Sequence, residues 1–204
     1  TSREARQVPM KLSMLFAVLL TGAISCSADE VAVGSRVVPF SLVNAADGKT
    51  VAFNPGDGRT SVVIFTCNHC PYAKAFEQRI LTLAREYTAK GVAFYAVNPN
   101  DDVKYPEETM EKMKERALEK QYTLPYLKDG DSSIARAYGA MVTPHVFLVD
   151  GKGEIRYRGY VDDSAKPEER QDTGLSNALD QLLAGKAITN TSTKAFGCTI
   201  KWKA

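Results

Sequence analysis

The chain has 204 residues, 44% of them apolar, with 26 basic against 24 acidic side chains and a net charge of +2. That length and apolar share suit one compact domain. The mixed charge pattern, with no basic block, argues against a nucleic-acid partner, and no internal repeat or low-complexity tract suggests a solenoid or a linker.

The first element in chain order is a targeting segment, residues 1–30. Met10-Lys11 leads into an apolar run from Leu12 to Ile24 and then small residues to Ala28. The run is shorter than the ~20 residues a membrane-spanning helix needs, and its layout is that of an export signal over 10–28, with the residues before Met10 lying ahead of the true start. Two endings compete. Ala-Ile-Ser before Cys26 resembles a lipoprotein box, with Ala23 where Leu is usual, and cleavage after Ala28 is the alternative. The expected location is outside the cytoplasm, periplasmic or lipid-anchored through Cys26.

The main domain is expected over 31–187. Val37 to Phe53 reads as two strands turned at Asp47-Gly48. Ser61 to Thr66 (SVVIFT) reads as a strand buried on both faces. Ala73, Phe76, Ile80, Leu83, Ala84 and Tyr87 recur at helical steps, with Gly91 placed to cap the helix. Val92 to Val97 is the next buried strand. Glu107 to Lys120 reads as one charged helix whose Glu108 and Lys112, at i,i+4, form a solvated face. A short helix follows over Ser132 to Tyr138. Val146–Val149 and Ile155–Tyr160 pair across a turn at Asp150–Gly153. Leu175–Leu183 is the last helix, and residues 188–204 form a tail. Strands alternating with helices predict an α/β fold, a central mixed sheet flanked by helices.

The chemistry concentrates at Cys67-Asn68-His69-Cys70-Pro71, between a buried strand and a helix start. Unpaired N–H groups and the positive end of the helix dipole stabilise a thiolate there. Cys67 is expected to be the exposed attacking thiol and Cys70 the buried resolving one, with Asn68 and His69 tuning their pKa. A fall from about 8.5 to about 6.5 raises the thiolate fraction at pH 7 from roughly 3% to 75%. Lower nucleophilicity leaves a net gain of about threefold. The competing use of a CxxC pair is zinc, which wants four ligands. Only His69, His145 and Cys198 could join the pair, so no metal and no cofactor is expected.

The runs VVIFTCNHCPYAKAFE, YGAMVTPHVFLVDGKGEIRYRGYVDD and GCTIKWK resemble the CxxC-containing, peroxiredoxin-like redoxin branch of the thioredoxin superfamily and, more distantly, TlpA/ResA-type exported reductases. The resemblance implies a thioredoxin-like fold with an N-terminal β-hairpin and an inserted helix–strand. It implies thiol–disulfide exchange with protein thiols and disulfides, fed by an upstream partner that can be membrane-bound. It also implies a cis-proline at Thr143-Pro144 facing the cysteines and aligning the visiting chain. His69 stands where DsbA-type sites carry His, a residue that can favour the thiolate. Several positions depart from the pattern. Thr66 stands for Trp and Ser61 for a buried Asp, so the proton acceptor for Cys70 is not identified, while Val142 and His145 replace Cys and Asp of close relatives.

Cys198 leaves the mature domain with an odd thiol count. It is open to trapping Cys67, bridging to another molecule, or sitting inert in the packed tail, with Trp202 anchoring that tail. Two other activities remain in view. A thiol peroxidase would want PxxxTxxC, but Val63 and Cys67 hold its Pro and Thr positions, and a metallochaperone would use Cys67, Cys70 and a histidine.

Overall fold

The computed structural model describes Thr1 and residues 31–204. The export signal and Cys26 lie outside the described residues. No helix among the described residues is long and apolar enough to cross a membrane.

The N-terminal hairpin forms as its pattern predicts, β1 (Phe40–Asn44) pairing antiparallel with β2 (Thr50–Phe53). At its turn Asp47 accepts from Asn44 Nδ2 and from the Lys49 N–H. β3 (Ser61–Phe65) and β4 (Ala93–Asn98) run parallel at the centre. They are followed in the chain by β5 (Tyr126–Lys128), β6 (Val142–Thr143), β7 (His145–Val149), β8 (Ile155–Gly159) and β9 (Cys198–Thr199). The main sheet has the order β2-β1-β5-β4-β3-β7-β8, and β6 pairs with β9 in a separate two-stranded ladder. The sheet is mixed: β3, β4 and β5 are parallel, while β1, β7 and β8 join antiparallel.

Alternation along the central strands explains the layers. Val62 and Ile64 of β3, Phe94 and Ala96 of β4, and Val146 and Leu148 of β7 enter one apolar cluster. Their neighbours Val63, Phe65, Tyr95, Val97, Phe147 and Val149 enter the other. A strand whose side chains point to both faces needs cover on both. Helices α1 (Pro71–Thr88) and α4 (Gly174–Leu183) cover the first face. The short α3 (Ser133–Ala137), the hairpin and the tail residues Ile200 and Trp202 cover the second. Trp202 anchors the tail as expected and lies under the Arg136 guanidinium.

Two sequence expectations about the helices are corrected. Glu107–Lys120 is not a single helix: Pro106–Glu108 is a 3₁₀ turn, and α2 runs Met110–Glu119 with Thr109 as its N-cap. Thr109 Oγ1 accepts the Lys112 N–H, so the helix begins only after Thr109 and leaves Glu108 outside it. Glu108 is therefore not part of a solvated face. It is fully buried, and Lys112 pairs with Glu115 instead. The cap of α1 also differs: Ala89 ends the helix, and Gly91, with φ +87°, turns the chain two residues later. α2 is tied to α1 by Arg116, which forms two hydrogen bonds to buried Glu77, with Tyr122 donating a third.

Candidate functional site

β3 stops at Phe65, and the Thr66 N–H still bonds Val97 O. The chain then turns through Cys67 to Cys70 and enters α1, with Pro71 in the first position where its missing N–H costs nothing. Cys70, not Cys67, is the N-cap: its sulfur accepts the Ala73 N–H at 3.5 Å. Both thiols are unbridged and buried, Cys70 0% exposed and Cys67 3%, so Cys67 is not the exposed thiol the sequence led us to expect.

Opposite them stands the Thr143–Pro144 peptide, which is cis. Thr143 touches both sulfurs. Its hydroxyl lies 3.1 Å from Cys67 Sγ, and its carbonyl oxygen accepts from Cys70 Sγ at 3.3 Å. The two cysteines of the motif thus meet at one residue, which lies 76 positions from Cys67 in sequence.

The middle of the motif is held from the other side by Glu108. Its carboxylate accepts the backbone N–H groups of Asn68 and His69, both at 3.0 Å, the Asn98 amide at 2.7 Å, and His69 Nδ1. Burial alone would raise this carboxyl, but the N–H of Asn68, with Asn98 and His69, outweighs it and holds Glu108 below the usual range. Lys128 donates to the carbonyls of Asn100 and Glu108, fixing the 3₁₀ turn. Asn68 is an anchor: its side chain donates to Glu107 O and accepts from Tyr126 Oη. The His69 ring stacks on Tyr105, 5.4 Å between centroids.

The two thiols titrate as a pair. The Cys67 S–H bonding to Cys70 brings the Cys70 thiol down to about 4, against its burial and with help from Cys198 and the Ala73 N–H. The same hydrogen bond, then burial, then the Glu108 charge push Cys67 up, while the Thr143 hydroxyl pulls it down. The reduced pair therefore loses its first proton easily and its second with difficulty. The remaining proton has two resting places. With the charge on Cys70, that sulfur accepts from Cys67 and from the helix start. With the charge on Cys67, it accepts the Thr143 hydroxyl, and the Cys70 S–H faces the Thr143 carbonyl.

Among the described residues, Cys67, His69 and Glu108 bring one potential metal ligand each to within 4.8 Å of one another. Glu108 was not counted as a ligand or a site residue in the sequence. Its signal was Pro106-Glu-Glu-Thr109, an N-cap threonine that puts Glu108 before the helix rather than on it. Ser61 is buried at the start of β3 and His145 in β7. Burial, then the charge of Arg158, lowers His145 to about 4. Cys198 packs as the partly buried neighbour of the cluster formed by Cys67, Cys70 and Ala73.

Comparison with known proteins agrees with this architecture. The Redoxin family matches residues 32–178. A crystal structure of an uncharacterized conserved protein from Geobacillus kaustophilus is 38% identical, with a TM-score of 0.79 over 84% of this chain and 93% of that one. The thiol:disulfide interchange protein DsbE of Tatumella citrea is 28% identical over 86% of this chain and 95% of its own length. The thioredoxin domain of a thiol-disulfide oxidoreductase from Bacteroides vulgatus shares the fold at 20% identity, TM-score 0.59, over 76% of this chain and 99% of that one. The chain belongs to the redoxin family and has a thioredoxin-like fold.

Proposed function

We propose that this redoxin-family chain is a thiol–disulfide oxidoreductase in which Cys67 attacks and Cys70 resolves, with protein thiols and disulfides as substrates. The observation that carries the reading is the double contact of Thr143, hydroxyl to Cys67 and carbonyl to Cys70. A proton moving from Cys67 to Cys70 along the S–H···S bond leaves Cys67 as the thiolate, the sulfur nearer the surface. Cys67 attacks one sulfur of the visiting disulfide and displaces the other as a thiolate, which takes up a proton. Cys70 then gives up its proton and attacks Cys67, releasing the second substrate thiol and closing the Cys67–Cys70 bond. Two electrons pass from the pair to the substrate, and the reverse sequence oxidises a dithiol.

Pro144 lacks an N–H, so no donor from it competes for the visitor, and Thr143 holds the attack-ready pair. Glu108, with Asn68 and His69, positions the turn. Export belongs to the same reading, on the strength of the Leu12–Ile24 run, with either a lipid anchor at Cys26 or cleavage after Ala28, and would place the exchange outside the cytoplasm, where protein disulfides persist.

The test is a trap. Cys70→Ser protein, incubated with an oxidised substrate protein, should accumulate a mixed disulfide at Cys67 that wild type does not. Full multi-turnover exchange by that variant would overturn the assignment.

A further inference from the structure

The tail does more than cover the sheet. Gly197 lies so close to Thr143 that a Cβ there would stand 2.1 Å from the Thr143 carbonyl oxygen. That approach sets the β6–β9 ladder, in which Thr143 faces Cys198. The residue that touches both active sulfurs is thus also the ladder partner of the third cysteine.

Cys198, itself half-buried, packs against the cluster of Cys67, Cys70 and Ala73. Its backbone N–H and its side chain both favour the Cys70 thiolate. The tail is pinned there, since the Lys201 N–H bonds Asn100, Ile200 is buried, and Lys203 pairs with Asp101 and Asp102.

We propose that Cys198 is a third redox-active thiol, which takes Cys70 from the Cys67–Cys70 disulfide and forms a Cys70–Cys198 disulfide in its place. The step rests on the reading that Cys67 and Cys70 form a redox disulfide. The Cys198 thiolate attacks the Cys70 sulfur. The Cys67–Cys70 bond breaks, its electron pair leaves on Cys67, and Cys67 takes up the proton that Cys198 released. The chain stays oxidised by two electrons throughout, so no outside oxidant is consumed. The exchange returns Cys67 as a thiol and moves the oxidised bond to the half-buried Cys198, where a donor thiol can reach it. Burial, then the neighbouring Cys70 thiolate, holds Cys198 up at about 11. The second of these causes vanishes once Cys70 is in a disulfide, and Lys201 favours the thiolate. Below that value the interchange should quicken about tenfold per pH unit, as the thiolate fraction does.

Full-chain Cys67→Ser protein is equilibrated with glutathione and glutathione disulfide, quenched in acid, blocked with N-ethylmaleimide and mapped by mass spectrometry. The expected product joins tryptic peptide 60–74, which carries position 70, to peptide 195–201, which carries Cys198, within a monomer and without retained glutathione. Glutathione left on Cys70, or cross-linked dimers without the intramolecular 70–198 bond, would overturn the proposal. Wild-type protein guards against a misfolded variant. Oxidised and held at pH 7 and pH 9, it should yield the same linked peptides with N-ethylmaleimide on Cys67, far sooner at pH 9. Finding only the disulfide internal to peptide 60–74 at both pH values refutes the Cys198 step and leaves the Cys67–Cys70 reading standing. A 70–198 bond in protein that never forms a 67–70 bond would refute both the interchange and the Cys67–Cys70 reading.

Discussion

Replacing Glu108 by Gln removes a buried negative charge beside Cys67 while nearly keeping its shape. The carboxylate lies within 4.8 Å of the Cys67 sulfur. A unit charge at that distance, through an effective dielectric of about 20, is worth about 3.5 kcal/mol. Weaker repulsion at Cys70 and the opposing His69 N–H offset part of this. If they leave about 1.4 kcal/mol, the pair shifts about tenfold toward the Cys67 anion. A more acidic thiol is a weaker nucleophile, so the observable gain is about threefold. The assay is the rate of Cys67 alkylation by iodoacetamide at pH 7, read on peptide 60–74. The variant loses one of the acceptors for the Asn68 and His69 N–H groups and should melt lower, by an amount corresponding to about 1–3 kcal/mol. Folding is therefore checked by near-ultraviolet circular dichroism. Folded Glu108→Gln protein that alkylates no faster than wild type would refute the electrostatic role given to Glu108.

Thr143→Val should act in the opposite direction, because it removes the hydroxyl at 3.1 Å from Cys67. With about 1 kcal/mol lost from the Cys67 thiolate, the pair shifts about fivefold away from the Cys67 anion and the same alkylation should slow about twofold, and an unchanged rate would count against Thr143 as the group that holds the attack-ready pair. His145 supplies a pH test of the strand beneath Pro144. Its folded pKa lies below the unfolded value, near 4 against 6.5, so the unfolded chain binds more protons between those values. The stability it contributes is present above about pH 6.5 and is lost as pH falls toward 4, about 3 kcal/mol in all. Urea unfolding at pH 7 and pH 4 should show a loss larger in wild type than in His145→Gln by about 3 kcal/mol, and equal changes in both would refute it. Asp129, which burial raises to about 6, titrates with the opposite sign in both proteins and cancels in the comparison.

Much of the fold was legible because long elements leave long patterns. The continuous apolar runs of β3 and β4 require cover on both faces, and both faces are covered. The spacing from Ala73 to Tyr87 announces α1, and Asp47-Gly48 announces the hairpin. The cysteine pair was legible because a strand, four residues and a proline-led helix are local in sequence. β6 and β9, at two residues each, are too short to carry a period, so the tail's return to Thr143 left no pattern to read. Glu108 was misread for a physical reason: its spacing to Lys112 imitates a surface ion pair. Its real partners are backbone N–H groups some 40 positions away, which no periodicity reports. The strand delivers Cys67, but the first free helix N–H groups point at Cys70.

The most direct test of the Cys67–Cys70 couple is its midpoint potential as a function of pH, measured in wild type against glutathione or dithiothreitol buffers. A reduced pair that has lost one proton and keeps the other takes up one proton per two electrons. The midpoint should then fall by about 30 mV per pH unit between pH 6 and pH 8, in a single two-electron transition. A fall of about 59 mV per unit across that range, or the absence of any disulfide between Cys67 and Cys70, would contradict the account.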